Sequence, residues 1–211
     1  MKTNSPKKKS EITKSKLMEA TIDLIAEEGL ENFKTKHLAI RTGLAEGNIY
    51  NYFSGKDNLI NSCFESIDRE VDDRLTKCRE NLGGNGENIQ EALEILWKTY
   101  FGYFVEHPKE TLFYHEFRHS PRYAGYVQKI RGAYNQDFLA FMDVAAEKMK
   151  IRSNNVISVV WMHIVDSTLD FVCRLIKGEI EDTEETRRWG FKLIFSGIYG
   201  VMEEAGIKIS H

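Results

Sequence analysis

The sequence predicts an all-α protein built in two parts. Prolines stand only at positions 6, 108 and 121, so few obligatory breaks interrupt a helical pattern. Apolar residues recur at three- and four-residue spacing along most of the chain, and no segment sustains the two-residue alternation of a strand. At 211 residues and 42% hydrophobic content, the chain is long enough for one small domain plus a larger one with a substantial core.

Each element has a local reason. Residues 1–10 are basic and are read as a disordered leader. Leu17, Ala20, Leu24 and Ile25 share one helical face, which predicts a helix over about 11–28, stopped by Gly29. A short helix is expected over 35–42, ending at Gly43, and another from Ala45 to about Tyr52. Ser54, with Asp57 three residues on, reads as a cap for a helix running to about Glu80 along Leu59, Ile60, Cys63, Phe64, Ile67, Val71 and Leu75. Gly83-Gly84-Asn85-Gly86 is the clearest loop. Helical patterns follow near 87–106, 109–118, 121–149, 153–178 and 183–205, with Ser120-Pro121 and Asp182/Glu185 as helix starts. The divisions expected are 1–10, 11–56 and 57–211.

Composition narrows the function. No apolar run approaches a bilayer-spanning length, and the basic first residues lead into no apolar signal core, so a cytoplasmic protein is expected. Cys63, Cys78 and Cys173 are odd in number and far apart, as reduced thiols would be. The net charge of −3 is unevenly spread: ten Lys/Arg face seven Asp/Glu in residues 1–56, leaving that segment at +3 and the rest at −6. That asymmetry suits a polyanionic partner at the N-terminal end, although basic tails are also common without one.

Residues 35–52 read as helix, glycine turn, helix. Leu38, Ala39, Leu44 and Ile49 can form the joint, Gly43 can supply the left-handed turn, and Lys36, Glu46, Asn48 and Asn51 are left facing outward. A helix-turn-helix needs this division of labour to lay its second helix in the major groove, and short helix pairs in ordinary bundles share the spacing. The run from Thr35 to Leu59 resembles the signature of the tetracycline-repressor-like (TetR) family. Its matching features are Leu38-Ala39, Gly43-Leu44, Gly47, the Ile49-Tyr50-x-Tyr52-Phe53 block, and Lys56 followed by Leu59.

With the helix at 11–28, the resemblance covers roughly residues 11–64. It implies a three-helix DNA-binding domain with a helix-turn-helix, followed by a helical ligand-binding and dimerisation domain. Base-reading positions then fall on Lys36, Glu46, Gly47 and Asn48, and phosphate-contacting ones on Thr35, Tyr50, Asn51, Tyr52 and Lys56. Glu46 can accept from a cytosine amino group or merely complement the positive end of its helix. The family commonly has a hydroxyl residue where this chain has Ala45, whose methyl group can neither cap the helix nor bond a phosphate. Phe53 has no donor for a phosphate and reads as core.

Other constellations point less far. The glycine-rich loop at 83–86 lacks the following Gly-Lys-Ser/Thr and the preceding strand of a phosphate cradle. His115-Glu116-Phe117-Arg118-His119 matches a zinc-hydrolase pattern, but Arg118 beside the second histidine repels a cation and Ser120-Pro121 breaks the helix at once. No catalytic residue, metal or cofactor is expected. Thirteen aromatic residues lie between Trp97 and Phe141, a density suited to core or to the lining of a cavity for a largely apolar ligand. His163, Asp166 and Asp170 share one face of an otherwise apolar helix, where they can serve a dimer seam, solvent or a ligand. Candidate ligand-binding residues are therefore Tyr100, Phe104, Phe113, Phe117, Tyr134, Phe138, His163, Asp166 and Asp170.

The resemblance implies a ligand-responsive transcriptional regulator, a repressor more commonly than an activator. It would bind a palindromic double-stranded DNA operator as a homodimer and be released by a small amphipathic or aromatic inducer. The last two long helices would pair with their symmetry mates, with Val160, Leu169, Val172, Phe191, Ile194, Phe195, Ile198 and Val201 as apolar candidates and Gly190, Gly197 and Gly200 allowing close approach. A plain protein-interaction module would lack salt-sensitive DNA binding, and an enzyme would show turnover.

Overall fold

The computed structural model describes residues 6–81, 89–130 and 154–204. Among them all regular structure is helical: α1 (Pro6–Glu28), α2 (Thr35–Thr42), α3 (Glu46–Ile49), α4 (Lys56–Asn81), α5 (Ile89–Glu106), α6 (Pro108–Arg118), α7 (Pro121–Ile130), α8 (Asn154–Ile176) and α9 (Glu184–Glu204). The chain divides into two compact units. One holds the described residues up to Arg69 together with Leu112–Gln128, and the other holds the described residues of Glu70–Thr111 and those from Lys129 onward. The sequence suggests a division after residue 56, at the start of a helix, whereas these units part within α4, α6 and α7.

In the first unit, α1 buries Leu17, Leu24 and Ile25, and the otherwise costly Thr21 hydroxyl donates to the Leu17 carbonyl at 2.8 Å. The helix starts at Pro6, so Pro6–Ser10, expected to be disordered, are helical. Proline presets the first-turn φ and the following lysines are good helix formers, a combination that a reading based on charge alone overlooks. Gly29, at φ +87°, ends the helix in the left-handed region. Phe64 of α4 is stacked on Tyr114 and Phe117 of α6, with centroids 4.6 and 4.3 Å away, and meets Tyr126 of α7 edge-on at 4.9 Å. Tyr114 also donates to Asp68 at 2.7 Å, and Arg122 of α7 pairs with Asp57 at the start of α4.

In the second unit, α5 packs on α8 through Trp97, whose indole N–H donates to the buried Thr168 hydroxyl at 2.9 Å. Its core holds Tyr100, Phe101, Phe104, Leu169, Val172 and Phe195. The guanidinium of Arg74 lies 4.8 Å from the ring centroid of Tyr103 and bonds both Glu70 and Glu106. The start of α9 differs from expectation. Thr183, rather than Asp182, accepts the Thr186 N–H at 3.1 Å, while Asp182 takes Arg187 with both oxygens at 2.6 and 2.7 Å. That paired guanidinium holds the Asp182 carboxyl below its ordinary range. At the start of α4 the side chain of Asn58, rather than of Asp57, reaches back, its Oδ1 accepting the Ser54 N–H at 3.3 Å. Ser120 does not serve as a side-chain cap in the bond seen there, its hydroxyl donating back to the Phe117 carbonyl at 2.7 Å.

Candidate nucleic-acid interface

The helix-turn-helix rests on a small buried joint. Leu38 of α2 and Ile49 of α3 are fully buried, and Ala39 and Leu44 are partly so. Between the helices Gly43 sits at φ +69°, a conformation in which a β-carbon is disfavoured. α2 is held against the end of α1 by two side-chain pairs, His37 Nδ1 to Glu28 Oε2 at 2.7 Å and Arg41 to Glu27 at 2.6 Å. The Thr42 hydroxyl is satisfied by the Leu38 carbonyl at 2.7 Å.

α3 is shorter than expected, a single turn from Glu46 to Ile49. The chain tightens after it: Asn51 N–H donates to Asn48 O, and both Tyr52 and Phe53 N–H donate to Ile49 O. Two carbonyls therefore serve the turn that brings Phe53 into the core, where it is 2% exposed. The core reading of Phe53 fits that burial. Lys14 of α1 lies 5.3 Å from its ring centroid.

Outside the joint, Lys36, Glu46, Gly47, Asn48, Tyr50 and Asn51 are all exposed, while Thr35, Tyr52 and Lys56 are half-buried. A β-carbon on Gly47 would meet nothing within 4 Å, so no neighbour within the chain requires glycine there. Two assigned contacts are already engaged. Thr35 donates its hydroxyl to Glu46 Oε1, tying the first turn of α2 to the first turn of α3. The ammonium of Lys56 donates to the Phe33 carbonyl at 2.5 Å and lies 5.4 Å from the Phe33 ring centroid. Neither Lys34 before α2 nor Ala45 before α3 supplies a side-chain cap, so no capping side chain stands over these two helix starts. Ile40, not among the residues expected on this face, is 72% exposed one helical turn from Lys36. An apolar side chain breaking a polar face was the available signal, and such a group suits a thymine methyl.

Within the first unit the residues of the zinc-like pentapeptide make bonds of their own. Glu116 Oε2 accepts the Leu30 N–H at 2.5 Å, so the carboxylate that would activate a water is bonded to backbone. His119 Nδ1 lies 2.8 Å from the His115 carbonyl, and the two rings are 4.3 Å apart.

The candidate ligand residues are distributed over both units. Tyr100 and Phe104 are core in the second, and Phe113 and Phe117 are core in the first. Tyr134 and Phe138 lie outside the described residues. His163 was one possible cavity residue, but it is exposed, with Nε2 2.9 Å from the Ile194 carbonyl of α9 and Nδ1 3.3 Å from the Ser167 hydroxyl. Asp170 is exposed and Asp166 half-buried. The periodicity that put all three on one face could not tell an inward face from an outward one.

The expected seam residues also need correction. Leu169, Val172, Ile194, Phe195 and Ile198 are buried within the chain, and Val160 and Phe191 partly so. What α8 and α9 leave exposed are Val159, Met162, Trp189, Leu193 and Val201. Both helices carry apolar residues on two faces, and the richer face closes on the protein's own core.

Residues 17–63 match the family described as bacterial regulatory proteins, tetR family. Over 89 residues the chain is 32% identical to the HTH-type transcriptional regulator BetI of Stenotrophomonas maltophilia, a match spanning 42% of this chain and 45% of that protein. The chain thus matches less than half the length of that curated relative. Among solved structures it resembles a TetR family transcription regulator from Marinobacter aquaeolei, with a TM-score of 0.69 at 19% identity over 90% of this chain and 97% of the other. It also resembles FadR of Bacillus subtilis, solved in complex with stearoyl-CoA, with a TM-score of 0.63 at 16% identity over 87% and 98%. At such identities these two likenesses establish the fold. With its buried joint, left-handed glycine turn and exposed polar residues, the segment 17–63 is thus similar to the tetR family of bacterial regulatory proteins, and the family match is confined to that segment.

Proposed function

We propose that the chain is a ligand-responsive transcriptional regulator, acting as a homodimeric repressor on a palindromic operator and released by a small amphipathic or aromatic inducer. The observation that carries this reading is the outward face of the helix-turn-helix: Lys36, Asn48, Tyr50 and Asn51 stand exposed on a scaffold whose joint is buried. Exposed amide, ammonium and phenol groups offer no folding benefit there, but they are suited to base edges and phosphate oxygens. The positive balance of residues 1–56 supports the same partner. Among the described residues no helix is long and apolar enough to cross a membrane.

Dimerisation is supported by the exposed apolar residues of α8 and α9. Trp189, Leu193, Gly197 and Val201 recur every four residues along α9, and a β-carbon on Gly197 would meet nothing within 4 Å. A second copy laid on this face would cover them and set two recognition helices about one DNA turn, ~34–36 Å, apart or at a related spacing. An inducer would act by preferring a dimer with another spacing. The rings in the core of the second unit suit an apolar ligand body, and the long-chain acyl thioester bound by FadR is a ligand of that kind in a protein of this fold.

Titration of a labelled operator library at several salt concentrations tests the reading; binding that is insensitive to salt, or absent, would refute it. Within it, Asn48→Ala is expected to relax preference at one operator position, worth ~1–3 kcal/mol if the contact is bidentate. Unchanged preference at every position would remove Asn48 from the base-reading set.

A further inference from the structure

The six-residue connection before α2 is held near both ends by side chains distant in sequence. At its start, Gly29 closes α1 by donating to the Ile25 carbonyl at 2.9 Å, and the next N–H, that of Leu30, goes to Glu116 Oε2 of α6 at 2.5 Å. At its end, the carbonyl of Phe33 takes the ammonium of Lys56, the first residue of α4, at 2.5 Å. The bonds formed by the connection's own residues serve other groups: Asn32 N–H to the Gly29 carbonyl, and the Asn32 amide to the Glu28 carbonyl. A carboxylate thus meets a backbone donor and an ammonium meets a backbone acceptor, both charge-assisted and both partly buried.

The consequence falls on α2. The connection ends at Lys34, whose side chain caps nothing, so the groups that fix residues 29–33 place the start of α2 together with the Thr35–Glu46, His37–Glu28 and Arg41–Glu27 pairs, rather than a cap. Thr35 and Lys36, two of the candidate DNA contacts, are the first two residues of that helix. We propose that Lys56 and Glu116 are positioning residues for DNA binding: they stake the α1–α2 connection and thereby aim Thr35 and Lys36, and Lys56 acts on the phosphate backbone only through them. This rests on the DNA-binding reading above and removes Lys56 from the phosphate contacts implied by the family resemblance. The geometry gives the reason: the ammonium is drawn in toward the Phe33 carbonyl and over the Phe33 ring, and the side chain is half-buried.

The test uses the full-length protein with Lys56→Met, Lys56→Arg, Glu116→Ala and Glu116→Gln. Methionine keeps the stem without the donor, arginine restores a donor, and glutamine keeps a carbonyl oxygen that accepts the Leu30 N–H. Lys56→Met should weaken DNA binding about tenfold, as loss of a hydrogen bond to a charged group would. The slope of log affinity against log salt should stay within about half a unit of the wild-type value, whereas loss of a phosphate contact would lower it by about one. Lys56→Arg should recover most of the affinity.

Amide hydrogen exchange at Leu30 is the second readout. Glu116→Ala should accelerate it about tenfold and Glu116→Gln should leave it close to wild type. A salt slope lower by one in Lys56→Met would return Lys56 to the phosphate and overturn its assignment here. Unchanged Leu30 exchange in Glu116→Ala would overturn the staking. Absence of salt-dependent DNA binding by the wild-type protein would instead overturn the underlying functional reading, and the exchange experiment separates the two failures.

Discussion

Leu193→Asp is expected to leave the protein monomeric and to weaken operator binding by ~10²–10⁴-fold, the advantage lost when two half-sites are no longer engaged together. Leu193 is 73% exposed and Trp189, one turn away, 51%. A side chain so open makes little difference to the fold of the single chain, where a surface substitution typically changes stability by less than about 0.5 kcal/mol. In a seam between two copies the same position becomes buried, and an uncompensated carboxylate there is costly. Light scattering at several concentrations should show the wild type at twice the chain mass and the variant at the chain mass, with helical content retained. A variant that remains dimeric and keeps wild-type operator affinity would place the seam elsewhere.

The exposed face of α9 is not legible in the sequence, for a physical reason. Hydrophobic periodicity identifies α8 and α9 as helices with apolar faces but not which face each turns to its own core. Leu169, Val172 and Ile198 were as good candidates for a seam as Leu193, and only packing buries the first three. The same limit applies to His163, whose bond to the Ile194 carbonyl depends on how two helices pack. Features set by backbone conformation were legible. Gly29 and Gly43 both lie in the left-handed region where a helix stops, and α2 spans the expected residues Thr35–Thr42.

The outward set Lys36, Glu46, Asn48 and Asn51 was legible too, because a buried joint of Leu38 and Ile49 fixes which residues remain outside. Long-range polar contacts were not legible. Nothing in residues 29–33 indicates that Glu116 or Lys56 will reach them, since sequence separations of 86 and 23 residues carry no periodic signal. Glu116 attracted notice for a five-letter zinc pattern, whereas its observed partner is a backbone N–H.

Gly190→Val is expected to destabilise the protein by ~3 kcal/mol, toward the upper end of the usual range for overpacking a core. Gly190 is buried on α9, and a β-carbon there would stand 2.7 Å from Phe171 Cζ of α8 and closer still to Cε1. The half-buried Phe171 ring, stacked on Phe101 at 5.8 Å, would have to shift to make room and would lose part of that contact. For a chain of this size, the melting temperature should fall by about 6–12 °C. Gly197 supplies the contrast on the same helix: it is exposed with nothing within 4 Å of a β-carbon, so within one chain Gly197→Ala should gain helix propensity without a clash. Any loss in that variant should therefore appear as weaker dimerisation rather than as unfolding of the chain. The contact itself is tested by adding Phe171→Leu to Gly190→Val. If the ring is what the valine strikes, the double variant should be more stable than the sum of the two single effects predicts, by ~0.5–3 kcal/mol. Strict additivity would mean that Gly190 is required for backbone reasons, and that α8 and α9 do not meet through Phe171.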